Sequence, residues 1–145
     1  MSVNTRTMAA TPERVWEILA DGWLYPVWVV GASRMRDVDK NWPEVGSRLH
    51  HSVGIWPLLI NDDTEVLAAT PDRMLRLRAR GWPVGEAEIE ITIAPVGART
   101  EVVITENVVS GPGKLVPEPL KGLSLAWRNV ETLRRLAFIA ENKEQ

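Results

Sequence analysis

Residues 75–91 write an antiparallel pairing into the chain. Centred on Pro83, Arg80 faces Glu86, Arg78 faces Glu88 and Arg76 faces Glu90, so opposite charges meet across two strands. The alternate positions pair Ala79 with Ala87, Leu77 with Ile89 and Leu75 with Ile91. Successive strand side chains point to opposite faces, so the charges share one face and the aliphatics the other. The charge run therefore reads as a solvated outer face of a sheet, not an anion site. The aliphatic face needs a cover.

The same inner face continues into the next hairpin. A loop of about four residues at Val96 to Arg99 sets Ile93 against Val102, Ile91 against Ile104, Ile89 against Glu106 and Ala87 against Val108. A one-residue slip would turn Val103 and Thr105 inward instead. The first register places more aliphatic side chains on the core face. It also turns Glu106 inward, between Ile104 and Val108. In an earlier strand His51 shares its face with Leu49 and Val53, while His50 points out with Arg48 and Ser52. A carboxylate and an imidazole are thus aimed at the core, where each needs a partner, a wet cavity or a task.

The cover comes from the C-terminus. Pro117 to Asn142 reads as an amphipathic stretch, and a helix from about Pro119 to Glu141 is roughly 35 Å long at ~1.5 Å per residue. At ~100° per residue, Leu123, Ala126, Trp127, Val130, Leu133, Ala137 and Ala140 fall on one side. Lys121, Ser124, Arg128, Glu131 and Arg135 fall on the other. Upstream, Ser2 to Met8 alternates as a short strand. Thr11-Pro12-Glu13-Arg14 starts a helix, with Thr as cap and Pro in the first turn. That helix stops near Asp21-Gly22, and Trp23 to Val30 reads as a further helical turn or two. Strands follow at Ser33–Val38, Ser47–Val53, Asp62–Ala69, Arg73–Arg80, Glu86–Ala94 and Thr100–Val109. The expected fold class is α+β: a curved antiparallel sheet of about seven strands around a long C-terminal helix, with two short helices after the first strand.

At 145 residues the chain is expected to form a single domain, residues 1–145. A formal net charge of −2 supplies no basic field, which argues against nucleic-acid binding. There are no cysteines, so disulfides, thiolate metal sites and cysteine nucleophiles are excluded. No apolar run approaches the ~20 residues of a membrane span. Asn4 and Arg6 stand where a signal peptide needs an apolar block, so a cytoplasmic location is expected. The sequence does not specify an oligomeric state. Seven tryptophans against one Phe and one Tyr are unusual. Indole has a large apolar body and one N–H donor, which suits a wall that is partly apolar and partly wet.

The order strand, two helices, six strands, long helix resembles the helix-grip fold of the START and birch-pollen-allergen-like superfamily, also called SRPBCC. The carrying stretches are Thr11-Pro12-Glu13-Arg14-Val15-Trp16, Trp42-Pro43-Glu44-Val45-Gly46-Ser47, Ala69-Thr70-Pro71-Asp72-Arg73 and the terminal helix. They are similar to those of small bacterial polyketide cyclase/dehydrase-like proteins. The resemblance implies a deep apolar cavity for lipids, polyketides, steroids or similar molecules. It includes both carriers and cyclases, so fold alone does not settle function.

Two functions follow as expectations. The first is binding of an apolar or aromatic small molecule, lipid- or polyketide-like, between sheet and helix, lined by Tyr25, Trp28, Leu49, Trp56, Trp82, Val108, Leu123 and Trp127. Alternate strand connections lie at one end of an antiparallel sheet, which places Trp56, Trp82 and Trp127 near an entrance. The second is a cofactor-independent polyketide cyclase or dehydratase with His51 and Glu106 as acid/base groups. Neither calls for a cofactor. No metal site is expected: His50 and His51 face opposite ways, and no third ligand sits at a useful spacing. Asp62-Asp63 reads as a turn or edge feature.

Overall fold

The computed structural model describes residues 2–29, 34–53, 60–81, 85–110 and 118–142. The elements run β1 (Ser2–Met8), α1 (Pro12–Leu19), a 3₁₀ turn (Gly22–Leu24), α2 (Tyr25–Trp28), β2 (Arg34–Val38), β3 (Arg48–Val53), β4 (Ile60–Thr70), β5 (Met74–Gly81), β6 (Gly85–Val96), β7 (Arg99–Ser110) and α3 (Glu118–Glu141). The strands form one antiparallel sheet in the order β1-β7-β6-β5-β4-β3-β2. This is the helix-grip architecture.

The charge ladder sets the register as expected. Arg76, Arg78 and Arg80 stand opposite Glu90, Glu88 and Glu86, and Leu75 and Leu77 opposite Ile91 and Ile89. The contacts run diagonally as well as straight across. Arg78 and Arg76 both reach Glu88, at 2.9 and 2.8 Å, and Arg80 reaches Glu86 at 3.0 Å. Arg48 with Asp63 and Glu65 extends this outer charged face onto β3 and β4. Asp63 is therefore part of the outer ladder inside β4, not a turn residue. In the β6–β7 hairpin Ile89 pairs with Glu106 and Ile91 with Ile104, which keeps Glu106 on the inner face. Register shifts at Met35/Asp37, Val66/Ala68 and Glu86/Ala87 bend the sheet, as bulges do.

The core lies between the concave sheet face and the helices. Leu49, Val66, Leu75, Leu77, Ile91 and Ile104 face Val15, Ile18 and Leu19 of α1 and Leu133, Leu136 and Ala137 of α3. Thr11 caps α1 by accepting from the Arg14 backbone N–H at 3.1 Å, with Pro12 in the first turn. Helix α3 runs alongside β1, and its end is tied down. The Ala9 backbone N–H donates to Glu141 at 2.8 Å, and Arg14 donates to the Ile139 carbonyl at 3.2 Å.

The expected apolar stripe of α3 needs correction. The covered side chains are Asn129, Thr132, Leu133, Leu136, Ala137 and Ala140, whereas Trp127, Val130 and Phe138 are exposed. The covered arc is turned roughly 70° from the stripe drawn by hydrophobicity, at ~100° per residue. The turn buries Asn129 and sets Arg128 at the edge of the covered arc, both within reach of Glu106. No described helix is long and apolar enough to cross a membrane.

Candidate functional site

The inner face carries one polar cluster within the apolar core. Glu106 comes from β7 and is only 3% exposed. It accepts from the Arg128 guanidinium and, at 3.1 Å, from the Asn129 amide, both on α3. Arg128 lies partly in solvent, so the ion pair leads from the core to the surface. Two donors from adjacent helix positions meet both carboxylate oxygens, which satisfies a buried anion far better than water exclusion alone would allow.

His51 stands on β3 and is buried. Its Nε2 lies 2.9 Å from Thr64 Oγ1 on the neighbouring strand. His51 pairs with Asp62 in the ladder, so Thr64 is its diagonal neighbour on the same face. Tyr25 of α2 stacks on the imidazole with ring centroids 5.9 Å apart. Its hydroxyl also engages Thr64. Burial pushes the Tyr25 phenol above its ordinary value of 10.0, with Glu106 adding to the rise; the Thr64 bond and the Arg128 charge oppose it. At neutral pH the phenol is therefore a neutral hydroxyl. Trp28 meets Tyr25 edge-on at 5.5 Å. The Trp28 indole is buried, and its Nε1–H has no acceptor among the described residues. An indole N–H in such a place normally finds a partner.

The expected site residues are distributed unevenly. Tyr25, Trp28, His51 and Glu106 are all buried on the inner side, and Leu49 and Val108 are buried there with them. Trp127 stands on the outward side of α3, 70% exposed, away from this cluster. Trp56 and Trp82 lie outside the described residues, as does the Leu123 side chain within α3. The strand ends Val53, Ile60, Gly81, Gly85 and Ser110 share one end of the sheet, so the parity argument for that end agrees with the topology. Thr64, Arg128 and Asn129 were not expected. Thr64 pairs with Leu49, so extending the hairpin register to β3–β4 exposes it. Asn129 breaks the covered arc of α3 with a polar group opposite Glu106.

Among the described residues no three His, Asp or Glu side chains gather to hold a metal ion. What the cluster offers is hydrogen bonding: a free indole donor, a neutral phenol, an imidazole held by a threonine, and a neutralised carboxylate–guanidinium pair.

Residues 2–141 match the family described as "Polyketide cyclase / dehydrase and lipid transport". The chain belongs to that family. A search of curated proteins finds no match. Among solved structures, a protein of Rhodobacter sphaeroides superposes with TM-score 0.74 at 21% identity, covering 99% of this chain and 93% of that one. DynU16, from the dynemicin biosynthetic locus, gives 0.66 at 20% identity, covering 97% and 47%. Ara h 8.0201 gives 0.72 at 8% identity, covering 97% of each chain. At these identities the structural matches establish the helix-grip fold of SRPBCC-type proteins.

Proposed function

We propose that this chain is a binding or carrier protein for an apolar or aromatic small molecule, lipid- or polyketide-like, seated between the sheet and α3. One observation carries the reading: the buried Trp28 Nε1–H that lacks an acceptor among the described residues, at the Tyr25 side of the inner polar cluster. A ligand carbonyl or hydroxyl oxygen placed there removes the cost of the unmade bond, while its apolar body covers the inner face. Tyr25 meets the Trp28 ring edge-on and stacks on His51, and family membership supports the same class of ligand. The action is proposed to take place in the cytoplasm.

The alternative is a cofactor-independent cyclase or dehydratase using His51 and Glu106. The hydrogen bonds favour an orienting role for Glu106 over that of a base, because both its oxygens are already engaged by Arg128 and Asn129. His51 remains the better candidate for proton transfer in that reading.

The test is native mass spectrometry of the protein purified from its own host, followed by extraction and identification of the bound molecule. Binding of that molecule is then compared in the Trp28→Phe variant. The expected result is an apolar ligand bearing an oxygen acceptor, bound about 2- to 12-fold more weakly by Trp28→Phe, the worth of one net hydrogen bond. Absence of any bound molecule, together with no affinity for apolar aromatic probes, overturns the proposal. Turnover of a polyketide-like substrate that falls roughly 10²–10⁴-fold in His51→Ala replaces carrier with enzyme.

A further inference from the structure

A recess lies beside α1. Helix α1, the 3₁₀ turn after it and the β2–β3 connection enclose an open cleft of about 610 Å³. Its walls carry Trp16, Trp23 and Trp42, three of the seven tryptophans. The same walls carry the carboxylates of Glu17, Asp21 and Asp39 against the single ammonium of Lys40.

The cleft is built rather than incidental. Trp42 is fixed by its indole N–H, which donates to the Leu19 carbonyl at 3.2 Å. Asp21 accepts from the Trp23 backbone N–H at 3.2 Å, which holds the turn carrying that indole. Asp39 accepts from the Arg48 backbone N–H and lies 2.9 Å from His50 Nε2. Nevertheless Trp23 is 56% exposed, a large aromatic surface left in water at the rim. Glu17 pairs with Arg14 at 3.2 Å, so three carboxylates stand against two cations, Lys40 and Arg14, and the cleft keeps a net negative charge. A hydrated metal ion needs converging oxygen ligands, and no such group occurs among the described residues. An anion is repelled, and a neutral apolar guest leaves the field unused. A weakly hydrated organic cation uses both the indoles and the charge, since indole attracts cations more strongly than any other side-chain ring.

We propose that this cleft binds a small organic cation, a quaternary or alkylated ammonium group, held by the indoles of Trp16, Trp23 and Trp42 and by the field of Glu17, Asp21 and Asp39. The site is independent of the ligand proposed for the sheet–helix space, so either can fail without the other.

Choline and its uncharged isostere 3,3-dimethylbutan-1-ol are titrated separately at low ionic strength, following the indole N–H signals of the ¹⁵N-labelled protein by NMR. Choline is expected to move the Trp16, Trp23 and Trp42 signals saturably and to leave Trp28 unmoved, with the alcohol about 10-fold weaker or worse. Trp23→Ala should weaken choline binding by about 2- to 30-fold, the span between exposed and desolvated cation–ring contacts. Its side chain is mostly in solvent, so the fold should survive, as a thermal melt checks. Asp21→Asn keeps the cap on Trp23 and removes one charge. It should weaken binding at low salt, with the difference shrinking as salt is raised. Equal binding of the alcohol and choline, no saturable shift with choline, or a choline response centred on Trp28 overturns the proposal.

Discussion

Glu106 is held from two directions, and the two holds are unequal in what their loss leaves behind. Arg128→Met strands a carboxylate that is 3% exposed with Asn129 alone, and should cost about 3–5 kcal/mol in urea denaturation. Glu106→Gln leaves acceptor and donor in the same shape and frees a guanidinium that already reaches solvent, so about 1–2 kcal/mol is expected. Equal costs would mean that Glu106 is not the desolvated partner. Tyr25 offers a cleaner readout because it is the only tyrosine. Its phenolate absorbance should appear above pH 10.0 in the folded chain and near the ordinary value in urea, because burial raises it. The sign of the linkage follows: this group's contribution to stability is complete below the unfolded value and is lost as pH rises through the folded one. Ionisation of the folded chain at or below 10.0 would place the phenol in water.

At the scale of elements, the β5–β6 hairpin and α3 respond to different rules. Leu77 is 2% exposed and Arg78 spans Glu86 and Glu88 on the outer face. Leu77→Ala should cost about 2–5 kcal/mol, and Arg78→Ala less than about 1 kcal/mol. On α3, Leu136→Ala should fall in the same large range, and Phe138→Ala, at 67% exposure, within about 0.5 kcal/mol. Chemical denaturation of the four variants checks both, and a Phe138 cost equal to that of Leu136 would restore the hydrophobic stripe. The hairpin was legible in the sequence because opposite charges at a period of two leave one register; extended into the next hairpin it carried Glu106 inward, while alternation with Leu49 carried His51 inward. The face of α3 was not, because hydrophobicity alone assigns Trp127 and Val130 to the core. The deciding term was the need of Glu106 for a cation and an amide, and this appears only once β7 and α3 are adjacent. The site was therefore half legible: its strand residues followed from alternation, whereas Arg128 and Asn129 depended on a tertiary contact.

Over the whole molecule, three separated charge clusters share one response to acid. The His50 bond holds the Asp39 carboxyl below its ordinary 3.8. Arg78, then Arg76, hold Glu88 below 4.5 on the outer sheet face. Arg134, then Arg135, hold Glu131 on α3 at about 2. All three are depressed, so each contributes stability that is present above its unfolded value and lost as pH falls through its folded one. These three groups add no pH dependence above about pH 5, and the chain should lose stability progressively below 4.5, as separate clusters are protonated together. Glu131→Gln isolates one of them. Gln and Glu have similar helix propensity, so the substitution changes charge with little change in backbone preference. The variant should be slightly less stable than the parent at pH 7, since exposed pairs are weak singly and are screened by salt. As pH falls from 4.5 to about 2 the parent should lose this advantage, and below that the two should melt together. Thermal melts of both proteins at a series of pH values, in low and high salt, measure the gap directly. A gap that persists unchanged at pH 2 would assign the effect of Glu131 to packing along α3 and remove its guanidinium partners from the account.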